Sequence, residues 1–222
     1  MTKFEWGSGL TWANSMDPVL DDNRAKVIKQ DGEKELTMHL KAKLYANPAR
    51  VDYRRAYTEL NLIDLFANET FSPGMAYHVI SGVDVDALSF LKLIARRQKS
   101  INVLISTWVM AGNDIVYLRE MIDTGVITWL DIYVGEIFKT SYSTEWDMLV
   151  DLYRDYPGIG HLHKFRNHSK VMAGGGDKFP FVCESSANVN TNPRCEQTTI
   201  TIDQGLVDFY REFYKQIKPE DL

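Results

Sequence analysis

His168 and Lys170 stand two residues apart in the run Asn167-His168-Ser169-Lys170-Val171-Met172. In an extended segment, positions two apart point to the same face. An imidazole and an ammonium then share one surface. That pairing suits an anion, and phosphate in particular: the cation binds the oxyanion, and the imidazole attacks it or moves a proton. Downstream come a glycine run, Gly174 to Gly176, then Asp177, then an apolar run leading into Ser185-Ser186-Ala187-Asn188, and finally Glu196.

On these residues the sequence resembles the phospholipase D superfamily, whose motif reads H-x-K, four residues, Asp, six residues, G-S-x-N. His168-Ser169-Lys170 supplies H-x-K. Ser185-Ser186-Ala187-Asn188 is similar to G-S-x-N, with serine in the glycine's place. Asp177 lies two residues later than the motif's Asp, and the serine pair three later than its expected place. The resemblance covers residues 75 to 217 in element order. It implies an α/β/α sandwich with a mixed sheet and a metal-independent phosphodiesterase, with no cofactor. It also implies that the single-motif chain completes its site as a homodimer, bringing two His168 rings together. His168 is then nucleophile in one subunit and general acid in the other. Lys170 and Asn188 hold the phosphate, and Ser186 assists there. Asp177 and Glu196 are the carboxylates that would orient an imidazole or raise its basicity. A nuclease acting on DNA or RNA is the substrate class implied. The alternative is a module of the same fold that binds nucleic acid or a partner without turnover.

Other chemistries fit less well. His161, His163, His168, Cys183 and Cys195 can be assembled into a zinc set, but their spacing matches no standard ligand pattern. No phosphate-binding G-x-x-x-x-G-K-[ST] or G-x-G-x-x-G occurs, so the glycine run reads as a hairpin turn. No G-x-S-x-G nucleophile elbow occurs either. A lone histidine in a strand is commonly only a hydrogen-bonded structural residue; Lys170 and the serine pair set His168 apart from that reading.

The elements that must position these residues begin at Met75. Tyr77–Ser81 reads as a buried strand. Asp84 or Asp86 caps a helix with Ala87, Leu88, Leu91, Ile94 and Ala95 on one face. Residues 101–109 form a strand rich in β-branched side chains. Asn113 caps a second helix that stops at Gly125. Residues 126–134 form a third strand, and Thr144 with Asp147 resembles a capping box for a third helix. Residues 159–163, 168–173, 179–185 and 198–202 read as further strands, with a tight link at Gly174 to Asp177. Asp203 caps a last helix, with Leu206, Phe209, Tyr210, Phe213 and Ile217 expected on its inner face. Alternating strands and helices predict a sheet covered on both faces. Residues 1–74 read as an appendage, with weak helical spacing over 19–30 and 33–46, and residues 75–222 as the domain.

The chain of 222 residues is 45% hydrophobic and carries a formal net charge of −5, with a pI of about 5.6. That argues against a broad basic surface, though not against a local basic cleft. Lys139, Lys164, Arg166, Lys170, Lys178 and Arg194 are the candidates for one; such scattered charges are often just a solvated face. No apolar run approaches a membrane span, and the N-terminus has no long apolar stretch of a secretory signal. Cys183 and Cys195 read as reduced thiols of a cytoplasmic protein.

Overall fold

The computed structural model describes residues 58–82, 85–190 and 194–222. A compact unit spans Arg54–Leu222. Residues 58–65 are helical, and Leu62, Phe66 and Phe71 are buried in the main core. The stretch 58–74 therefore belongs to the domain rather than to an appendage. The helical spacing expected over 19–30 and 33–46 lies outside the described residues.

Strands and helices then alternate through strand β1 (Ala76–Ser81), helix α1 (Ala87–Ala95), β2 (Ile101–Ser106), α2 (Gly112–Asp123), β3 (Ile127–Gly135), the short α3 (Phe138–Ser141), α4 (Ser143–Asp155) and β4 (Leu162–Phe165). Three strands follow with short connections, β5 (Val171–Gly175), β6 (Pro180–Ser185) and β7 (Glu196–Thr201), before the final helix α5 (Gln204–Tyr214). The seven strands form one mixed sheet in the order β1-β7-β6-β5-β2-β3-β4. β2, β3 and β4 run parallel; β5 runs antiparallel to β2 and to β6, and β7 antiparallel to β6 and β1.

Strand alternation sorts the side chains between two cores. Val103, Ile105, Ile132, Phe181, Cys183 and Ile200 face the large core, with Leu88, Leu91 and Ile94 of α1, Leu118 of α2 and Leu149 of α4. Leu104, Tyr133, Val171, Ala173 and Val182 face a smaller core closed by Val207 and Tyr214 of α5. Helices on both faces make the α/β/α sandwich.

Local chemistry explains the helix starts. Asp86 accepts from Ser89 N at 3.0 Å, and Asp203 from Leu206 N at 2.7 Å, so both caps form as the sequence implies. Gly125, at φ +69°, ends the turn after α2. Two caps differ. Asn113 lies inside α2, whose N-cap Ala111 has no side chain to bond; Ala111 N instead donates to Val189 O at 3.0 Å. The Thr144–Asp147 box does not form, because α4 begins directly from the turn of α3, with Tyr142 as N-cap. In α5, Phe209 and Phe213 are 63% and 54% exposed, not core, while Val207 and Tyr214 are buried. A helix lying on a sheet buries a narrow stripe, and here the stripe runs through Val207 and Tyr214. Gly174 and Gly175 end β5 rather than forming the turn. A Cβ on Gly174 would stand 2.2 Å from Asn102 O, so only glycine lets β5 lie this close to β2.

Candidate functional site

The residues that could do chemistry gather at one end of the sheet. β2, β3 and β4 finish there, β6 runs into Ser185-Ser186-Ala187-Asn188, and β5 and β7 begin there with the H-x-K segment and Glu196. In open α/β sheets this carboxyl end is where ligands sit.

His168 and Lys170 precede β5 rather than lying inside the strand. Alternation still operates. The Ser169 hydroxyl meets Tyr214 Oη at 2.7 Å, on the α5 side of the sheet, while His168 and Lys170 turn to the other side. Lys170 Nζ lies 3.1 Å from His168 Nδ1 and donates to His168 O at 2.6 Å. His168 is exposed, and its ring packs at 5.1 Å on Trp108, which follows β2. Burial lowers the Lys170 pKa from the ordinary lysine value, and the charge of Glu196 partly opposes that.

Asn167 holds this segment in place. It is 4% exposed, and its Nδ2 donates to Ser106 Oγ at 2.9 Å, Thr107 O at 3.2 Å and Tyr133 O at 3.0 Å. Its Oδ1 accepts from Ser169 N at 3.0 Å and Ser169 Oγ at 2.7 Å. One amide therefore ties the lead into β5 to the ends of β2 and β3. Gly135 completes the support: a Cβ there would stand 2.5 Å from Trp108 Cδ1, so the absent side chain leaves the ring its place beside His168.

The serine pair divides its work. Ser185 N donates to Lys170 O at 3.0 Å, which carries the β5–β6 ladder up to the H-x-K lysine. Ser185 Oγ meets Thr198 Oγ1 at 2.7 Å and accepts from Ala187 N at 3.1 Å. The serine in place of glycine thus caps its own turn. Ser186 Oγ donates to Glu196 Oε2 and accepts from Gln197 N at 3.0 Å. Asn188 O accepts from Ala87 N at the start of α1, while Asn188 Oδ1 is buried without a hydrogen-bond partner. Contacts therefore link His168, Lys170, Glu196 and Ser186, with Asn188 at the same end of the sheet.

Asp177 is elsewhere. It sits in the β5–β6 turn at the opposite end of β5, where its carboxylate accepts from Lys99 N at 2.7 Å and its own N–H donates to Lys99 O at 3.0 Å. Its displaced spacing in the sequence has this physical counterpart: it closes a hairpin on the end of α1. The basic residues also scatter. Lys178 Nζ bonds Arg97 O at that far end, Lys164 pairs with Glu220 at 3.5 Å, and Lys139 lies over Trp146. Arg166, 94% exposed and 3.9 Å from Glu136, stays near the site end, after β4.

The histidine–cysteine set does not assemble. Cys183 is buried in the large core, whereas His163 stacks on Tyr133 of the smaller one, at 4.1 Å. Sequence reasoning missed Trp108, Asn167 and Gly135. The one available signal was Asn167, an amide directly before the H-x-K run.

The fold and this site define an α/β/α sandwich with a candidate anion site at the carboxyl end of its sheet. No family model matches the sequence, and no curated protein does. Among solved structures the chain is similar to TrmBL2, an archaeal chromatin protein described as having a novel mode of DNA binding, with TM-score 0.46 and 13% identity over 84% of this chain and 67% of that one. It is also similar to polyphosphate kinase from Porphyromonas gingivalis, with TM-score 0.47 and 15% identity over 63% of this chain, and it spans 25% of that kinase. At this level of identity and overlap, neither neighbour says what this chain binds or does. Among the described residues, no helix is long and apolar enough to cross a membrane.

Proposed function

We propose that the protein is a metal-independent phosphodiesterase of the phospholipase D type, acting on nucleic acid as a homodimer. The observation that carries this reading is the exposed His168 with Lys170 Nζ 3.1 Å from its ring, at the end of the sheet that also holds Ser186, Asn188 and Glu196. In the reaction, one His168 attacks phosphorus. The P–N bond forms as the ester P–O bond breaks, and the leaving oxygen takes its proton from the second copy's His168. Water then cleaves the P–N bond. Lys170 and the Asn188 amide hold the phosphoryl oxygens. The other histidines among the described residues are engaged elsewhere: His78 with Thr199, and His161 and His163 near Asp131. On this reading a second copy is the source of the acid.

The resting contact sets the starting tautomer. With Nδ1 facing the Lys170 ammonium, a neutral ring carries its proton on Nε2. A phosphate that draws Lys170 to itself frees Nδ1 to take that proton and Nε2 to attack. The same contact favours a second reading, a nucleic-acid or partner-binding module: Lys170 and Nε2–H are two donors ready for an anion without turnover.

Hydrolysis of bis-p-nitrophenyl phosphate in EDTA, wild type against His168→Ala, tests the reading. The expected result is turnover that survives chelation and falls by about 10²-fold or more in the variant. Turnover lost to EDTA, or equal in both proteins, overturns it. Absence of turnover on this ester and on DNA and RNA, with nucleic-acid binding retained, selects the module.

A further inference from the structure

A second group of chemistry-bearing side chains lies on the α5 face of the sheet, separate from the His168 site. β3 and β4 are parallel neighbours paired Ile132↔Leu162 and Tyr133↔His163, which sets Asp131 beside His161. His161 and His163 are two apart, so they share that face. One nitrogen from each ring and one Asp131 oxygen lie within 4.8 Å of one another. The carboxylate is already oriented: Oδ2 accepts from Trp129 Nε1 at 2.9 Å, and Oδ1 accepts from His161 N at 3.0 Å and lies 3.2 Å from His161 Nδ1. Partners of this kind fix metal-ligating groups in direction.

An independent observation points to a ligand. His163 is 5% exposed and its ring is clamped against Tyr133; it interacts with the backbone of Lys218 and Ile217, while its Nδ1 is buried with no hydrogen-bond partner. Buried imidazole nitrogens ordinarily find one. His161, by contrast, has a side chain 53% exposed, so the cluster opens to solvent on one side. Asp131 and Tyr133 also line a surface cleft of about 470 Å³ with Asn102, Trp129, Arg211 and Lys215.

We propose that Asp131, His161 and His163 bind one divalent transition-metal ion of borderline softness, such as Zn²⁺ or Co²⁺. Two imidazoles and a carboxylate are a donor set for such ions, and three protein ligands leave a position for water. The site joins β4, an edge strand, to β3. The bound ion therefore adds to the stability of the folded state.

The test uses the full, tag-free chain, stripped with chelator and titrated with Co²⁺ and with Zn²⁺. Visible d–d absorption, calorimetric stoichiometry and the thermal midpoint are recorded. Wild type is expected to bind one ion per chain, with a midpoint that rises with Zn²⁺. His161→Gln, an exposed change that leaves the core intact, and Asp131→Asn are each expected to weaken binding by about 10-fold or more. His168→Ala is expected to bind as wild type does. Stoichiometric binding that survives His161→Gln and Asp131→Asn overturns the proposal, as does wild-type binding no tighter than that of His161→Gln. These readouts do not involve phosphodiester hydrolysis, so they stand or fall separately from it.

Discussion

At the scale of single side chains, Lys170 bears on the alkaline response expected of the proposed His168 site. Burial pulls its pKa below the ordinary lysine value, and Glu196 pushes it back up. On the proposed function, the ammonium holds an anion below that pKa, and the neutral amine does not hold it above. Anion binding therefore declines, as pH rises, earlier than an ordinary lysine would dictate. Glu196→Gln removes the charge that favours the ammonium, so the alkaline limb of kcat/KM moves to still lower pH. A pH profile of both proteins checks this, and a limb that stays in place removes Glu196 from the electrostatics of Lys170. The roles of Ser185 and Asp177 also belong to this scale. Both make turn bonds, Ser185 to Ala187 N and Asp177 to Lys99 N, and Asp177 lies at the end of β5 away from His168.

At the scale of elements, the lead into β5 is positioned by a buried amide as well as by the ladder bond that reaches Lys170. Asn167→Ala leaves Thr107 O without the side-chain donor it now meets, while Ser106 Oγ keeps Ser169 Oγ at 2.7 Å. A buried polar group without a partner costs about 1–3 kcal/mol. The variant is expected to lose roughly 2 kcal/mol of unfolding free energy in urea titration, and to lose activity because His168 and Lys170 are no longer held. Unchanged stability would mean that water replaces the amide. Element starts were readable where a cap is local: Asp86 and Asp203 each bond an N–H three residues on. They were misread where the first turn is held by another segment. α2 takes its support from Val189 and α4 from the preceding turn, and neither contact leaves a mark in the adjacent residues.

At the scale of the whole molecule, the two cores explain why the site lies where it does. Helices α1, α2 and α4 cover one face of the sheet and α5 the other, so the carboxyl end of the parallel strands is left for chemistry. The proposed phosphohistidine cycle needs two imidazoles, and among the described residues one chain offers His168 alone there. Sedimentation is expected to give twice the 25.5 kDa chain mass. Mixing wild type with excess His168→Ala is expected to suppress activity by trapping wild-type subunits in mixed dimers. A fully active monomer would place the acid within one chain.

Residue types and short spacings determined much by themselves. The H-x-K run, the serine pair with Asn188, the β-branched strands and the amphipathic helices are all local patterns, and local patterns follow from a fixed side-chain period along the backbone. The alternation that sends Ser169 one way and His168 with Lys170 the other was readable for the same reason. Only the tertiary structure decided what strand neighbours bring together. Trp108 reaches His168 because Gly135 leaves it room, Asn167 bridges two strand ends far away in the chain, and Asp131 stands beside His161 through the β3–β4 register. Likewise, α5 has apolar residues on more than one side, and only packing on the sheet buried Val207 and Tyr214 while leaving Phe209 and Phe213 in solvent. Pairing between strands depends on the order of the sheet, which no window of neighbouring residues encodes.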